Sequence, residues 1–97
     1  MSALGLAQKA GKLASGDTAL KFAVKSGKVN FILMASDISD NSKKELTNLA
    51  KMYNIALSVS LTKQELGRAI GKAERAAVAV IDKNFAIMIR KQLDIID

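Results

Sequence analysis

The chain of 97 residues contains neither histidine nor cysteine. That removes the commonest general base, the thiolate nucleophile and the two side chains most used for transition metals. A reaction would have to run on Asp, Glu, Lys and Ser alone, and disulfides are excluded. No pair of carboxylates and no nucleophile beside a base stands at a spacing that suits catalysis. Asp37 and Asp40 are spaced as turn residues and read as loop chemistry. GKLASG (11–16) and LGRAIG (66–71) lack the glycines or the context of a P-loop or a dinucleotide fingerprint. The expectation is a protein without catalysis, cofactor or metal. What the chain does offer is cations at regular intervals beside glycines.

The first such stretch is Gly11 to Lys28, GKLASGDTALKFAVKSGK. A minimal strand (Leu13, Ala14) runs into a Ser15-Gly16 turn and then an amphipathic helix with Asp17 and Thr18 in its first turn. A strand–glycine–helix junction aims unpaired backbone N–H groups and the positive end of a helix dipole outward, which suits a phosphate or an electron-rich base edge. Thr18, Lys21, Lys25 and Lys28 recur at helical spacing along one side, and Ala19, Leu20, Ala23 and Val24 along another. The second stretch is Thr62 to Arg75, TKQELGRAIGKAER. Thr62 and Glu65 form a capping box that places Lys63 in the first turn of a helix. Gly67 permits close packing, Gly71 ends the helix, and a loop then carries Lys72, Glu74 and Arg75 to the start of an apolar strand.

The net charge is +6, and it is unevenly spread. Residues 1–28 hold five lysines against one acid, Asp17, and residues 62–75 hold four bases against Glu65 and Glu74, while the remainder is balanced. This distribution predicts a basic patch facing a polyanion. The aromatic residues are only Phe22, Phe31, Tyr53 and Phe85, too few for a platform that stacks a single strand, so a structured RNA or a duplex backbone fits better. Length and a 49% hydrophobic content predict one domain over 1–97. No apolar run is long enough to span a membrane, and the N-terminus lacks the layout of a signal peptide, which predicts a cytoplasmic protein.

The elements that must position these residues alternate. Ala3–Ala10 reads as a helix, followed by the strand at Leu13 and Ala14 and a helix over Asp17–Ser26. FILMA (31–35) is a strand covered on both faces. Ser42 and Glu45 suggest a capping box for a helix from Lys43 to Tyr53, buried along Leu46, Leu49, Ala50 and Tyr53. Ile55, Leu57, Val59 and Leu61 alternate with Ala56, Ser58 and Ser60, as in a half-exposed strand near an edge. A helix over Lys63–Ile70, a buried strand AAVAVI (76–81) and a last helix marked by Phe85, Met88, Ile89, Leu93 and Ile96 complete the chain. The order predicts right-handed crossovers and an α/β fold, a three-layer α/β/α sandwich on a central mixed four-stranded sheet. In a parallel arrangement the junctions at Gly16 and Thr62 would gather at one edge, where α/β proteins bind ligands.

TKQELGRAIG (62–71) with the alanine-rich strand after it, the GK…G…SGK frame of 11–28 and FILMASDIS (31–39) resemble the ribosomal protein L-seven-Ae / L-thirty-e superfamily, most closely its small bacterial YlxQ-like branch. The resemblance spans nearly the whole chain. It implies an α/β/α sandwich that binds kink-turn RNA, a sharply bent internal loop with sheared G·A pairs. It further implies a cytoplasmic, ribosome-associated RNA-binding protein, monomeric, with ribosomal or RNA-processing proteins as possible neighbours. The family's RNA-binding helix begins Gly-x-Asn-Glu-x-x-Lys. Gly16 matches the glycine, whereas Thr18, Ala19 and Phe22 stand where Asn, Glu and Lys are usual. Lys63 matches the lysine that opens the later helix, and Lys72 to Ala76 matches the segment that packs against an extruded nucleotide. The expected RNA-binding residues are Gly16, Asp17, Thr18, Lys21, Lys25, Lys28, Lys63, Lys72, Glu74 and Arg75. The departures at 18, 19 and 22 leave a second reading, a protein-interaction module on the same fold.

Overall fold

The computed structural model describes residues 2–95, so Ile96, expected to extend the last apolar stripe, lies outside the described residues. Five helices alternate with four strands: α1 (Ala3–Lys9), β1 (Leu13–Ser15), α2 (Asp17–Lys25), β2 (Phe31–Met34), α3 (Asp40–Met52), β3 (Ala56–Val59), α4 (Lys63–Ala69), β4 (Ala77–Val80) and α5 (Lys83–Gln92). The strands form one sheet in the order β1-β4-β2-β3. β2 and β3 are parallel, while β4 is antiparallel to both of its neighbours, β1 and β2. The sheet is therefore mixed. Of the parallel pairings that alternating elements allow, β2–β3 is the one formed.

The period-two alternation of the central strands explains the layers. Phe31 and Leu33 of β2 and Val78 and Val80 of β4 face α1, α4 and α5, where Leu4, Ala7, Leu66, Ile70 and Ile89 meet them. Ile32, Ala77 and Ala79 face the other way, against Leu20 and Val24 of α2 and Ala50 of α3. The large residues of β4 thus fill one side, and its two alanines let α2 and α3 settle close on the other. Arg90 of α5 lays its guanidinium over the buried Phe31 ring, 4.7 Å from the ring centre.

Four local expectations change. Tyr53, expected in the buried stripe of α3, caps the C-terminal end of that helix and is exposed. The cap of α3 is Ser39, not Ser42: the Ser39 hydroxyl accepts from the Ser42 N–H, and the helix starts with Asp40. Beginning there adds a turn, puts a carboxylate at the positive helix end and leaves Glu45 free for a partner on another helix. In α2, Leu20 and Val24 are buried and Ala23 partly so, but Ala19 is exposed, and Lys28 lies past the helix end at Lys25. β3 is an edge strand as expected, yet Val59 is exposed while Leu57 and Ser58 are both half-buried. With one neighbouring strand, β3 contributes Leu57 to the core on both faces of the sheet while Val59 stays exposed.

Candidate nucleic-acid interface

Because β1, β2 and β3 run one way and β4 the other, the ends of the first three and the start of the fourth share one edge. Ser15 pairs with Val78, and Met34 pairs with both Ala77 and Val59. The connections after Ser15, Met34 and Val59, and the one leading into Ala77, all emerge there. Hydrogen bonds lace them together. The Arg75 Nε–H donates to Ser15 Oγ (3.2 Å), and its Nη1 to the Ala73 and Glu74 carbonyls. The Arg75 backbone N–H donates to Lys63 O, and the Lys63 N–H to Asp37 Oδ1 (2.8 Å). Gly67 makes the α4–β4 loop possible: a Cβ there would lie 2.1 Å from the Ala73 carbonyl oxygen.

Three helices start at this edge, α2, α3 and α4, and the sharpest contrast is between α4 and α2. α4 is closed: the Thr62 hydroxyl accepts from the Glu65 N–H, Glu65 accepts from the Thr62 N–H, and Asp37 takes the Lys63 N–H. α2 is open: its cap is Gly16, at φ 88° and ψ 147°, and no side chain bonds its first turn. The other four helices all carry a side-chain cap, from Ser2, Ser39, Thr62 and Asp82. Gly16, Asp17, Thr18 and Ala19 are exposed. The donors of the α2 start therefore face outward with the dipole behind them.

The expected cations do not form one cluster. Arg75, half-buried, reaches Ser15 next to the α2 start, and the half-buried Lys63 is tied to it by its carbonyl, whereas the exposed Lys72 is held to Gly67 of α4 and Glu74 is exposed in the same loop. Lys21 is occupied: its ammonium bridges Glu45 of α3 at 2.5 Å and Asp17 at 3.3 Å. Hydrogen bonds to Glu45 first and to Asp17 second raise its pKa above the ordinary 10.5. Lys25 is exposed in the last turn of α2 and makes no ion pair among the described residues. Lys28 lies beyond that turn, and the Asn30 N–H donates to the Val80 carbonyl, at the other edge of the sheet. About 14 Å of helix separates it from Gly16. The basic face thus runs from the sheet edge along α2.

Sequence reasoning passed over three participants. Ser15 orients Arg75, Asp37 takes the first N–H of α4, and Glu45 holds Lys21. Each acts across 24 or more residues of chain, where no local spacing signals it. Phe22, which the helical pattern left undecided, is 67% exposed. Between α2, α3 and the start of β4 lies a cleft of about 100 Å³, walled by Leu20, Leu46 and Ala77 with Asp17, Ser42 and Glu45 at its polar side. Among the described residues no group of three or more His, Cys, Asp or Glu is placed to hold a metal, and no helix is long and apolar enough to cross a membrane.

Comparison with known proteins agrees with this architecture. Residues 1–89 match the model of the ribosomal protein L7Ae/L30e/S12e/Gadd45 family. The chain is 33% identical over 91 residues to the RNA-binding protein YlxQ of Bacillus subtilis (strain 168), covering 94% of this chain and 91% of that one. It is 29% identical over 86 residues to the RNA-binding protein YlxQ of Enterococcus faecium, covering 89% and 82%. A solved structure of a protein with unknown function from Bacillus halodurans C superposes with a TM-score of 0.86 at 36% identity, over 95% of this chain and 93% of the other.

Proposed function

This chain belongs to the ribosomal protein L7Ae/L30e/S12e/Gadd45 family, and on that footing we propose that it is a non-catalytic protein that binds a structured, kink-turn-like RNA. The observation that carries the reading is the open start of α2. Gly16 holds a backbone conformation that leaves the N–H groups of Asp17 and Thr18 without a side-chain cap, on the edge where Lys63 and Arg75 also emerge. Backbone donors at a fixed junction dock on the bend of an RNA, and the flanking cations neutralise its phosphates. Asp17 and Glu74 supply acceptors for base amino groups. The whole of 1–97 acts as one RNA-binding domain, in the cytoplasm, as a monomer associated with the ribosome or with RNA folding. Thr18 and Ala19 read fewer base edges than an Asn-Glu pair, so shape outweighs sequence in this recognition.

A titration tests this. A kink-turn RNA, a straight duplex and a single strand are compared at two salt concentrations. The kink-turn is expected to bind most tightly, and all affinities are expected to fall with salt, since phosphate contacts release counterions. Equal affinity for the kink-turn and the duplex would show a basic surface without shape recognition and overturn the proposal.

A further inference from the structure

We propose that Phe22 is a stacking surface for one unpaired base of the bound RNA, with Lys25 taking the adjacent phosphate; this rests on the RNA-binding reading above. Of the four aromatic residues, Phe31 is buried, Phe85 is partly buried and Tyr53 is 38% exposed, whereas Phe22 is 67% exposed. Leu20 and Val24 anchor α2 to the sheet, so the Phe22 ring projects from the side of the helix that faces solvent. Thr18 precedes it by four residues and Lys25 follows it by three, which sets all three on one face. Ala19, also three residues away, is exposed and adds only a methyl group to that face. From Gly16 to Phe22 the helix rises about 9 Å, so the ring lies along the helix that leads away from the RNA-docking edge.

Charge decides for RNA over a protein partner. The apolar groove of Leu49, Met52 and Tyr53 is lined also by Lys21, Lys25 and Glu45, and Phe22 is not part of its wall. Phe22 is thus a lone ring beside an unpaired ammonium, not part of a broad apolar patch. A flat base whose sugar carries a phosphate complements both features at once.

The test uses the full chain and the kink-turn RNA, with each unpaired loop nucleotide replaced in turn by an abasic site. Because Phe22 is exposed, its variants are expected to fold. Phe22→Ala should weaken binding by about 5- to 150-fold, the range for one base stacked on an aromatic side chain, and Phe22→Leu nearly as much, while Phe22→Tyr stays near wild type. One abasic position should weaken wild type by the same factor and leave Phe22→Ala no weaker than it already is. A 2-aminopurine at that position should lose fluorescence on binding wild type and keep it with Phe22→Ala. Wild-type affinity in Phe22→Ala, alongside an intact preference of wild type for the bent RNA, overturns the stacking proposal and leaves the RNA reading standing. Wild-type affinity in Phe22→Leu also overturns it, since an apolar contact then suffices. If wild type shows no preference for the bent RNA, the RNA reading itself falls, and with it this inference.

Discussion

Gly16 and Leu61 both carry positive φ, 88° and 63°, where a strand gives way to a helix at the same edge of the sheet. At the β3–α4 junction the strained residue is a leucine, packed against the core, whose carbonyl accepts from both the N–H and the hydroxyl of Ser36. The capping box and Asp37 then satisfy the helix start from within. At the β1–α2 junction glycine removes the strain, no side chain caps the helix, and nothing beyond the chain neighbours lies within 4 Å of where a Cβ would sit. One junction is built to hold the edge together, the other to leave donors free. The contrast explains why four of five helices spend a polar side chain on their own start and α2 does not.

The largest way to break the contrast is to damage the closed side. Gly67→Val drives a side chain into the Ala73 carbonyl and should destabilise the protein by about 3 kcal/mol, read by urea unfolding, with the 71–75 loop displaced. Sharpening the open side comes next. Thr18→Asn with Ala19→Glu places two base-reading groups on exposed positions and should increase the preference for kink-turn over straight duplex, each contact contributing about 1–3 kcal/mol. No gain in that ratio would mean that positions 18 and 19 do not face base edges in the complex. Gly16→Val should cost about 1–3 kcal/mol through torsional strain alone, since the space is empty, and should weaken RNA binding beyond the stability loss. Thr62→Ala removes one half of the capping box and should cost about 1 kcal/mol while the bent-over-straight preference stays unchanged. A drop in that preference would mean that the α4 start reads the bend as well as supplying a phosphate contact through Lys63, and would erase the distinction between the junctions.

The smallest effect is a pH dependence. The Lys21 bridge to Glu45 and Asp17 raises the lysine pKa in the folded state above the 10.5 of the unfolded chain. Its contribution to stability is therefore complete below pH 10.5 and is lost as the pH rises through the higher folded value. Thermal unfolding of wild type and Lys21→Met should differ by a constant amount near neutral pH, and the gap should close in strong alkali.

The elements were legible because each is specified locally. FILMA and AAVAVI carry the composition of covered strands, and Thr62 with Glu65 announces a cap that the structure contains. The same motif logic misled at Ser42 and Glu45, because a Ser-x-x-Glu spacing inside a helix looks like one at its start. Ser39 competes for the role, and Glu45 is drawn to Lys21 instead. The place of β4 between β1 and β2 has no local signature, since pairing direction depends on how distant strands meet. For the same reason the cations, regular in sequence, divide between a bridged Lys21, an unpaired Lys25 and a Lys28 at the far edge.

The central position of β4 has a consequence for how the chain comes into being. β1 pairs with β4 alone, yet more than sixty residues separate them in the sequence. At synthesis rates of about 5–20 residues per second, the first strand waits on the order of 3–12 s for its partner to be made. Until then Gly16 has no sheet to project from, and Arg75 has not been made to meet Ser15. A chain cut short before Ala77 lacks the strand that joins β1 to β2, so the edge at Ser15 has nothing to pair with. The edge at which α2 and α4 start is therefore assembled late and in one step.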